Sequence, residues 1–577
     1  MGKKERIEEL ESIITQLESF EADEYDRHEM NQSFDILTFG KQNISDKTRG
    51  SNHFFQGMAI DHQTKSIILG VDGFSSWKEV HENRDYGILE GGFLSIEWSS
   101  QMIQIQHDCF GLYPVFYFGN DEICIVSDSL FIISRAMRML ELDVSLNKSS
   151  ILTRAWTHGL ACSLMSKETL VNGVMYLPPC SHLTISTENK IIQIREINND
   201  VKEIFHQPNE PYLHALMTAK CEILSVVNSL VKCTDLGYKL GLSGGLDSRI
   251  ILALILETEK TTENTHINSN THITRADDYK IVKSLSAQFE FEFNNDLPRT
   301  STQAVRVPNP FGNYVLFNLG TFDMIYMYRS YWEKPRLIEI GGHGAEIAKG
   351  TFSRTNLVRK IPIWKPMKRI KLYNHLKKSL RPNNIKMNME NPIQWHHLLY
   401  KSAIQNGRYL ERTQVSLRPL MNRRLASIGL YNEKNRQHVL KDLLILLSPE
   451  LASHPFDKEN KNIEQSYIDS VLKQVGKIEG KSFDEYELFG DIEDIKNGLL
   501  RSFNSLTDEY KLDYENKKDS LLELMEHTWE NLRNQDLKHA FREAYLLAKK
   551  RLSDEKSYLP SAGTPASKII ALSILFE

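Results

Sequence analysis

Leu242-Ser243-Gly244-Gly245-Leu246-Asp247-Ser248-Arg249 continues from a short strand, Tyr238 to Leu242, and leads into the aliphatic stretch Ile250 to Leu256. A strand that turns on two adjacent glycines into a helix gathers several backbone N–H groups around one point, and the helix adds the positive end of its dipole. Ser243 and Ser248 bring hydroxyl donors, and Asp247 is a carboxylate of the kind that holds magnesium against phosphate oxygens. At average residue frequencies, Ser-Gly-Gly-x-Asp-Ser would arise in a chain of this length on the order of once per thousand sequences. The turn is therefore read as a polyphosphate site built from Leu242, Ser243, Gly244, Gly245, Leu246, Asp247 and Ser248, with a helix starting near Arg249.

The neighbouring sequence supports that setting. A helical segment from about Leu213 to Val231 precedes the strand, and further strands are expected at Thr265 to Ser269 and Arg336 to Ile340, with a helix from Asp277 to Gln288 between them. Strand–helix alternation implies a parallel sheet whose ligands sit at the strands' carboxyl ends. Asp277 and Asp278 are read as helix-capping residues in preference to ligand contacts. Arg249 is expected to face either nucleotide or solvent. The third strand runs into Gly341-Gly342-His343-Gly344.

Upstream, from Ser33 to Ile194, short β-like runs separated by turns predict an antiparallel, mostly β domain: Phe34 to Phe39, Lys65 to Val71, Phe93 to Trp98, Met102 to His107, Val115 to Phe118 and Ile123 to Val126, with another strand after Pro178-Pro179. Ile7, Leu10, Ile14, Leu17 and Phe20 predict an amphipathic helix over 3–22, packed on the first domain or pairing as a dimerising coil. From about 370 the chain reads as charge-rich and helical. Gly476-x-x-x-Gly480-Lys481-Ser482 is one residue short of a Walker A loop and has no buried strand before it, so it is read as a solvated linker.

Composition bounds the remaining classes. A chain of 577 residues implies roughly two to four domains. Lys+Arg of 70 against Asp+Glu of 75 gives a net charge of -5, which provides no global field for nucleic acid. The longest purely aliphatic run, Ile250 to Leu256, is far short of the roughly 20 residues needed to span a bilayer. The amino terminus carries no apolar signal core, and the six cysteines (109, 124, 162, 180, 221, 233) contain no C-x-x-C pair, so reduced thiols in a cytoplasmic protein are expected.

Ser243 to Ser248 resembles the pyrophosphate loop of the N-type ATP pyrophosphatases, and the order of the flanking motifs narrows the resemblance to the asparagine synthetase family. In the first domain, Gly92-Phe93 and Asp108 to Tyr117 are similar to the family's R-D-x-x-G-x-x-P-L-Y-Y region; Val126-Ser127-Asp128 and Leu177-Pro178-Pro179-Cys180 resemble the stretches that follow. Gly342-His343-Gly344-Ala345-Glu346 is similar to the G-x-G-x-D loop, Arg418 to Asn422 to the P-F-L-D turn, and Lys458 stands about where the family carries its R-x-K lysine. Agreement runs in order over most of the chain but is only local in identity.

This resemblance implies an α+β, β-rich Ntn-hydrolase-like domain followed by an α/β synthetase domain of the adenine-nucleotide α-hydrolase (PP-loop) type. The expected boundaries are an extension over 1–32, an amidotransferase-like domain over 33–205 and a synthetase domain over 206–577, with 468–577 a helical elaboration. Implied activity is ATP- and magnesium-dependent adenylation of a carboxylate with pyrophosphate release, then amine attack to give an amide. Ile267 and Asn268 would lie at the adenine, with Gly342 and Gly344 near the phosphates. Asp247 and Glu346 would hold magnesium, and His343 and Lys458 would be catalytic. Gly2 stands where glutamine-dependent relatives need a cysteine, so glutamine hydrolysis is not expected and the amine must come from elsewhere.

Lasso peptide cyclases can show G-H-G where asparagine synthetases have glutamate and β-lactam synthetases tyrosine. His343 therefore points to a peptide macrocyclase of a natural-product pathway, with a leader-binding or protease partner and with homodimerisation left open. Its imidazole titrates where an attacking ammonium must lose a proton. Ammonia-dependent asparagine synthesis and a non-catalytic nucleotide binder are the alternatives. Glu346 and Asn422, which replace the family's aspartates, and the missing R-x-K arginine favour the latter.

Overall fold

The first layers of the protein are made by strands β1 (Tyr25–Asn31), β2 (Phe34–Phe39), β3 (His53–Asp61), β4 (Ser66–Leu69), β5 (Glu90–Trp98), β6 (Met102–His107), β7 (Phe116–Gly119), β8 (Cys124–Ser127), β9 (Met175–Tyr176), β10 (Ser181–Glu188) and β11 (Ile191–Asn198). The second part contributes β12 (Gly237–Gly241), β13 (His266–Asn268), β14 (Ala304–Arg306), β15 (Ser330–Trp332), β16 (Leu337–Ile340), β17 (Ser416–Leu417) and β18 (Glu487–Phe489). The computed structural model describes residues 25–31, 34–39, 52–82, 86–188, 191–234, 236–258, 265–271, 275–295, 304–306, 309–327, 330–332, 337–350, 366–407, 415–432, 438–476, 483–497 and 509–576. The helix expected over 3–22 and all but the first residue of the Gly476–Ser482 stretch lie outside the described residues.

Together these elements make a mixed α/β protein with a β-rich amino-terminal region, a parallel sheet and carboxyl-terminal helices. A seven-stranded sheet in the order β11-β10-β6-β5-β3-β4-β18 faces a three-stranded one, β8-β7-β9. Phe54, Ile96, Ile103, Ile105, Leu183 and Ile185 from the large sheet meet Val115 and Leu177 between them. The predicted strand Lys65 to Val71 ends at Leu69, and Gly70–Val80 is a helix. Val71, Phe74 and Trp77 recur at helical spacing and are buried against the sheet, where Phe74 stacks on Phe55 at 4.6 Å. Burying each such ring is worth about 2–3 kcal/mol, enough to override a short β-like run.

The second sheet runs β13-β12-β16-β17, and every pairing in it is parallel. Helices Tyr212–Thr234, Leu246–Leu256 and Val439–Leu447 share its apolar core with Tyr238, Leu240, Ile338 and Ile340. The carboxyl-terminal third is helical as expected, except at β17 and β18. In Gln535–Leu552, Leu537, Phe541, Ala544, Ala548 and Leu552 form one buried stripe. The β18 strand lies parallel to β4 and completes the amino-terminal sheet. No helix among the described residues is long and apolar enough to cross a membrane.

A buried polar network joins the two sheets. His62 Nε2 lies 2.8 Å from Glu90 Oε2 and its Nδ1 lies 2.7 Å from the Tyr486 hydroxyl. Glu90 Oε1 accepts the backbone N–H of Arg423, and Asn422 bridges His62 and Glu222. Burial disfavours the charged imidazole, but Glu90's charge and hydrogen bond, with Glu222, outweigh both burial and Arg423 and raise the His62 pKa above its ordinary value. A raised pKa contributes stability below about pH 6.5 that is lost as pH climbs through the folded-state value. His62→Leu should therefore lower stability by about 3 kcal/mol at pH 5.5. Thermal unfolding of both proteins across pH 5 to 9 should show the gap narrowing as pH rises; a constant gap would contradict the charged pair.

Candidate nucleotide site

Both glycine loops leave the parallel sheet at the same edge. Leu240 of β12 pairs with Ile340 of β16, so the chain after Gly241 and the chain after Ile340 emerge side by side. The helix after the first loop begins at Leu246, three residues before the predicted start, with Gly245 as an extended N-cap and no side-chain cap. The second loop ends in the single turn Ala345–Ala348, for which Gly344 is the N-cap at φ 96°. A Cβ at Gly344 would fall 2.7 Å from the Leu420 carbonyl carbon, which leaves glycine as the fitting residue.

The loops touch through backbone. A Cβ at Gly342 would lie 2.9 Å from the carbonyl carbon and the Cβ of Asp247, closer than side chains pack. Within the first loop the serine hydroxyls shape the turn. Ser243 Oγ and Ser248 Oγ lie 2.9 Å apart, Ser243 N–H donates to Ser248 Oγ at 3.1 Å and Gly245 N–H donates to Ser243 Oγ at 3.3 Å. Leu242 N–H donates to the Asn268 carbonyl at 2.7 Å, tying the loop to β13. The Ile267 carbonyl accepts Asn294 N–H, so the backbone expected to read adenine already makes bonds inside the protein.

Arg249 faces neither nucleotide nor solvent. It is fully buried, donates to the carbonyls of Leu451, His454 and Pro455, and lies with its guanidinium carbon 3.7 Å from the centre of the Phe456 ring. Burial pulls its pKa down to about 10 against the opposing charge of Asp457. Arg249 thus pins the 451–457 segment beneath the loop, where Asp457 N–H donates to the Gly244 carbonyl at 3.3 Å. That contact brings Lys458 next to the site in the chain, with its side chain exposed. Helix Ala276–Phe289 has Arg275 at its N-cap with no side-chain bond, so the capping role expected of Asp277 and Asp278 is corrected. Asp278 Oδ1 instead accepts the Gly244 N–H at 2.9 Å, while Asp277 is exposed.

The two predicted metal carboxylates sit in different surroundings. Asp247 Oδ2 is 2.7 Å from Lys349 Nζ, and both side chains are partly exposed. Glu346 Oε2 accepts Gly344 N–H, and its Oε1 accepts Ser402 Oγ and Asn406 Nδ2 at 3.2 and 2.8 Å. Ser402 ends the π-helical stretch His397–Ser402, a rare geometry that turns it toward the loop. No group of three or more His, Cys, Asp or Glu among the described residues could hold a metal alone. A magnesium ion here would take Asp247 together with phosphate oxygens, which suits an ion that keeps few protein ligands. His343 is half-buried and packs against Gly341, where an added Cβ would lie 2.9 Å from its Nδ1.

Sequence reasoning missed Lys349, Ser402 and Asn406. Lys349 lies just past a one-turn helix, Ala345–Ala348, and the other two are over fifty residues from the loop they support, so no local spacing marks them. No protein-family model matches the chain, and no curated protein matches it. Removing the anchor under the loop tests this geometry: Arg249→Met should cost about 3 kcal/mol, because the buried carbonyls of Leu451 and His454 lose their guanidinium donor, as does the more exposed Pro455 carbonyl. Chemical denaturation should show the loss, and Arg249→Lys should fail to restore it; an unchanged midpoint would contradict the anchoring role.

Proposed function

We propose that the chain is an ATP- and magnesium-dependent synthetase of the asparagine synthetase type, with an Ntn-like domain and a PP-loop domain that adenylates a carboxylate and passes it to an amine. The observation that carries this reading is the convergence of the uncapped helix at Leu246 with the Gly342 loop at the carboxyl ends of two adjacent parallel strands. Backbone amides and a helix dipole at such an edge suit a polyphosphate. Magnesium, when bound, would neutralise phosphate charge beside Asp247.

In this reading each residue has a defined task. The Gly244–Gly245 backbone grips the outer phosphates once its amides exchange Asp278 and Ser243 for them, and the Ser243–Ser248 hydroxyl pair holds the turn's shape. His343, on the adjoining loop, takes the proton of the attacking amine. Lys458, exposed next to Asp457 in the chain, is assigned to balance charge at the α-phosphate. His343 in place of an acid favours closure of a peptide on its own Asp or Glu side chain, a lasso-type macrocyclisation, over asparagine formation. A second reading, nucleotide binding without turnover, draws on Glu346, whose carboxylate is taken up by three donors of the scaffold.

With magnesium, ATP and candidate acidic peptides, the synthetase reading predicts AMP and pyrophosphate in equal amounts, and Asp247→Ala should reduce the rate at least about 100-fold. Binding of ATP without either product would select the second reading. Release of ADP in place of AMP would exclude adenylation.

A further inference from the structure

The loop's binding groups are already matched by charges of the chain itself. The Gly244 N–H, where a phosphate oxygen would accept, donates to the carboxylate of Asp278 at 2.9 Å. Arg275 Nη1 holds the other oxygen of that carboxylate at 3.2 Å. Asp247, where a metal would bind, carries the ammonium of Lys349 at 2.7 Å. An internal anion thus stands in the phosphate position and an internal cation in the metal position, on opposite sides of one turn.

Resting on the nucleotide reading above, we propose that Asp278 and Lys349 are specificity-determining residues that make this site accept a metal–polyphosphate complex and refuse either component alone. A metal-free polyphosphate must displace the Asp278 carboxylate while Lys349 stays held on Asp247 and cannot turn to the phosphate, and the phosphate and the displaced carboxylate repel. A free divalent cation must displace Lys349 and leave an ammonium next to a dication. When the two arrive together, the metal takes Asp247, the phosphate takes the Gly244 amide, and Lys349 is released onto a phosphate oxygen. Asp247 and Lys349 are both partly exposed, so solvent weakens their pair; Asp278 is mostly buried but its partner Arg275 is largely exposed, so that pair opens from the arginine side.

The test uses the full chain and three probes: magnesium pyrophosphate, pyrophosphate in EDTA, and manganese alone followed by the free-ion EPR signal. The wild-type protein should bind magnesium pyrophosphate at least about tenfold tighter than pyrophosphate alone. Asp278→Ala should strengthen metal-free pyrophosphate binding about tenfold, or about 1.4 kcal/mol. Lys349→Met should strengthen binding of manganese alone by a similar factor of about ten while weakening magnesium pyrophosphate. Asp277→Ala removes the same charge one residue away, on an exposed side chain, and should change neither. Melting curves verify folding, and Asp278→Asn and Lys349→Gln replace any variant that does not fold.

If either variant leaves its probe's affinity unchanged, or Asp277→Ala matches Asp278→Ala, the inference is overturned while the nucleotide reading stands. If the wild-type chain binds none of the polyphosphate probes, both fall together.

Discussion

Two backbone loops approach so closely that a single methyl group at Gly342 would collide with Asp247, and the arrangement of the candidate site follows from that contact. It requires adjacent parallel strands with their ends in register, which Leu240 and Ile340 supply. It also sets the helix that begins at Leu246, which has no side-chain cap, against the second glycine loop, with the Gly244 and Gly245 amides on Asp278 and Ser243. A ligand held by backbone at such a point must be small in cross-section and rich in acceptors, and a phosphate chain meets both conditions.

Rigidity beneath the loop comes from a cation used in an uncommon way. Arg249 has no carboxylate partner among its hydrogen bonds and instead satisfies three carbonyls of one segment while lying on Phe456. The charge of Arg249 under the turn is opposed by Asp457 on the segment it pins. On the other loop, the π-helical stretch places Ser402 for Glu346, and Asn406 completes the hold. Supporting groups of this kind leave the loops little freedom to rearrange when charge develops near them.

Much of this could be read before the fold was known, for reasons that differ by element. The elements flanking Ser243–Ser248 were legible because the helix after the loop is an unbroken aliphatic run, buried from Arg249 to Ile255, and the strands beside it are short β-like runs that end on glycine or polar turns. The helix Gly70–Val80 was hidden because Ser66 to Val71 looks like an extended run, and its aromatic stripe gains meaning only against Phe55. The β18 strand is three residues long and pairs with β4 more than four hundred residues away, so no local pattern announces it. Within the site, glycine positions were legible because they answer to steric limits. Arg249, Asp278 and Lys349 were misread or unseen because a charged side chain's partner is set by tertiary placement, and the same residue serves equally in solvent, at a helix end or in a core.

Where a nucleotide sits is decided by a crystal structure of the chain grown with magnesium and a non-hydrolysable ATP analogue. The account predicts outer phosphate oxygens within about 3 Å of the Gly244 and Gly245 amides, with Asp278 swung away and the metal on Asp247. A nucleotide bound elsewhere, or glycine amides still turned onto Asp278 and Ser243 with the analogue present, would contradict it.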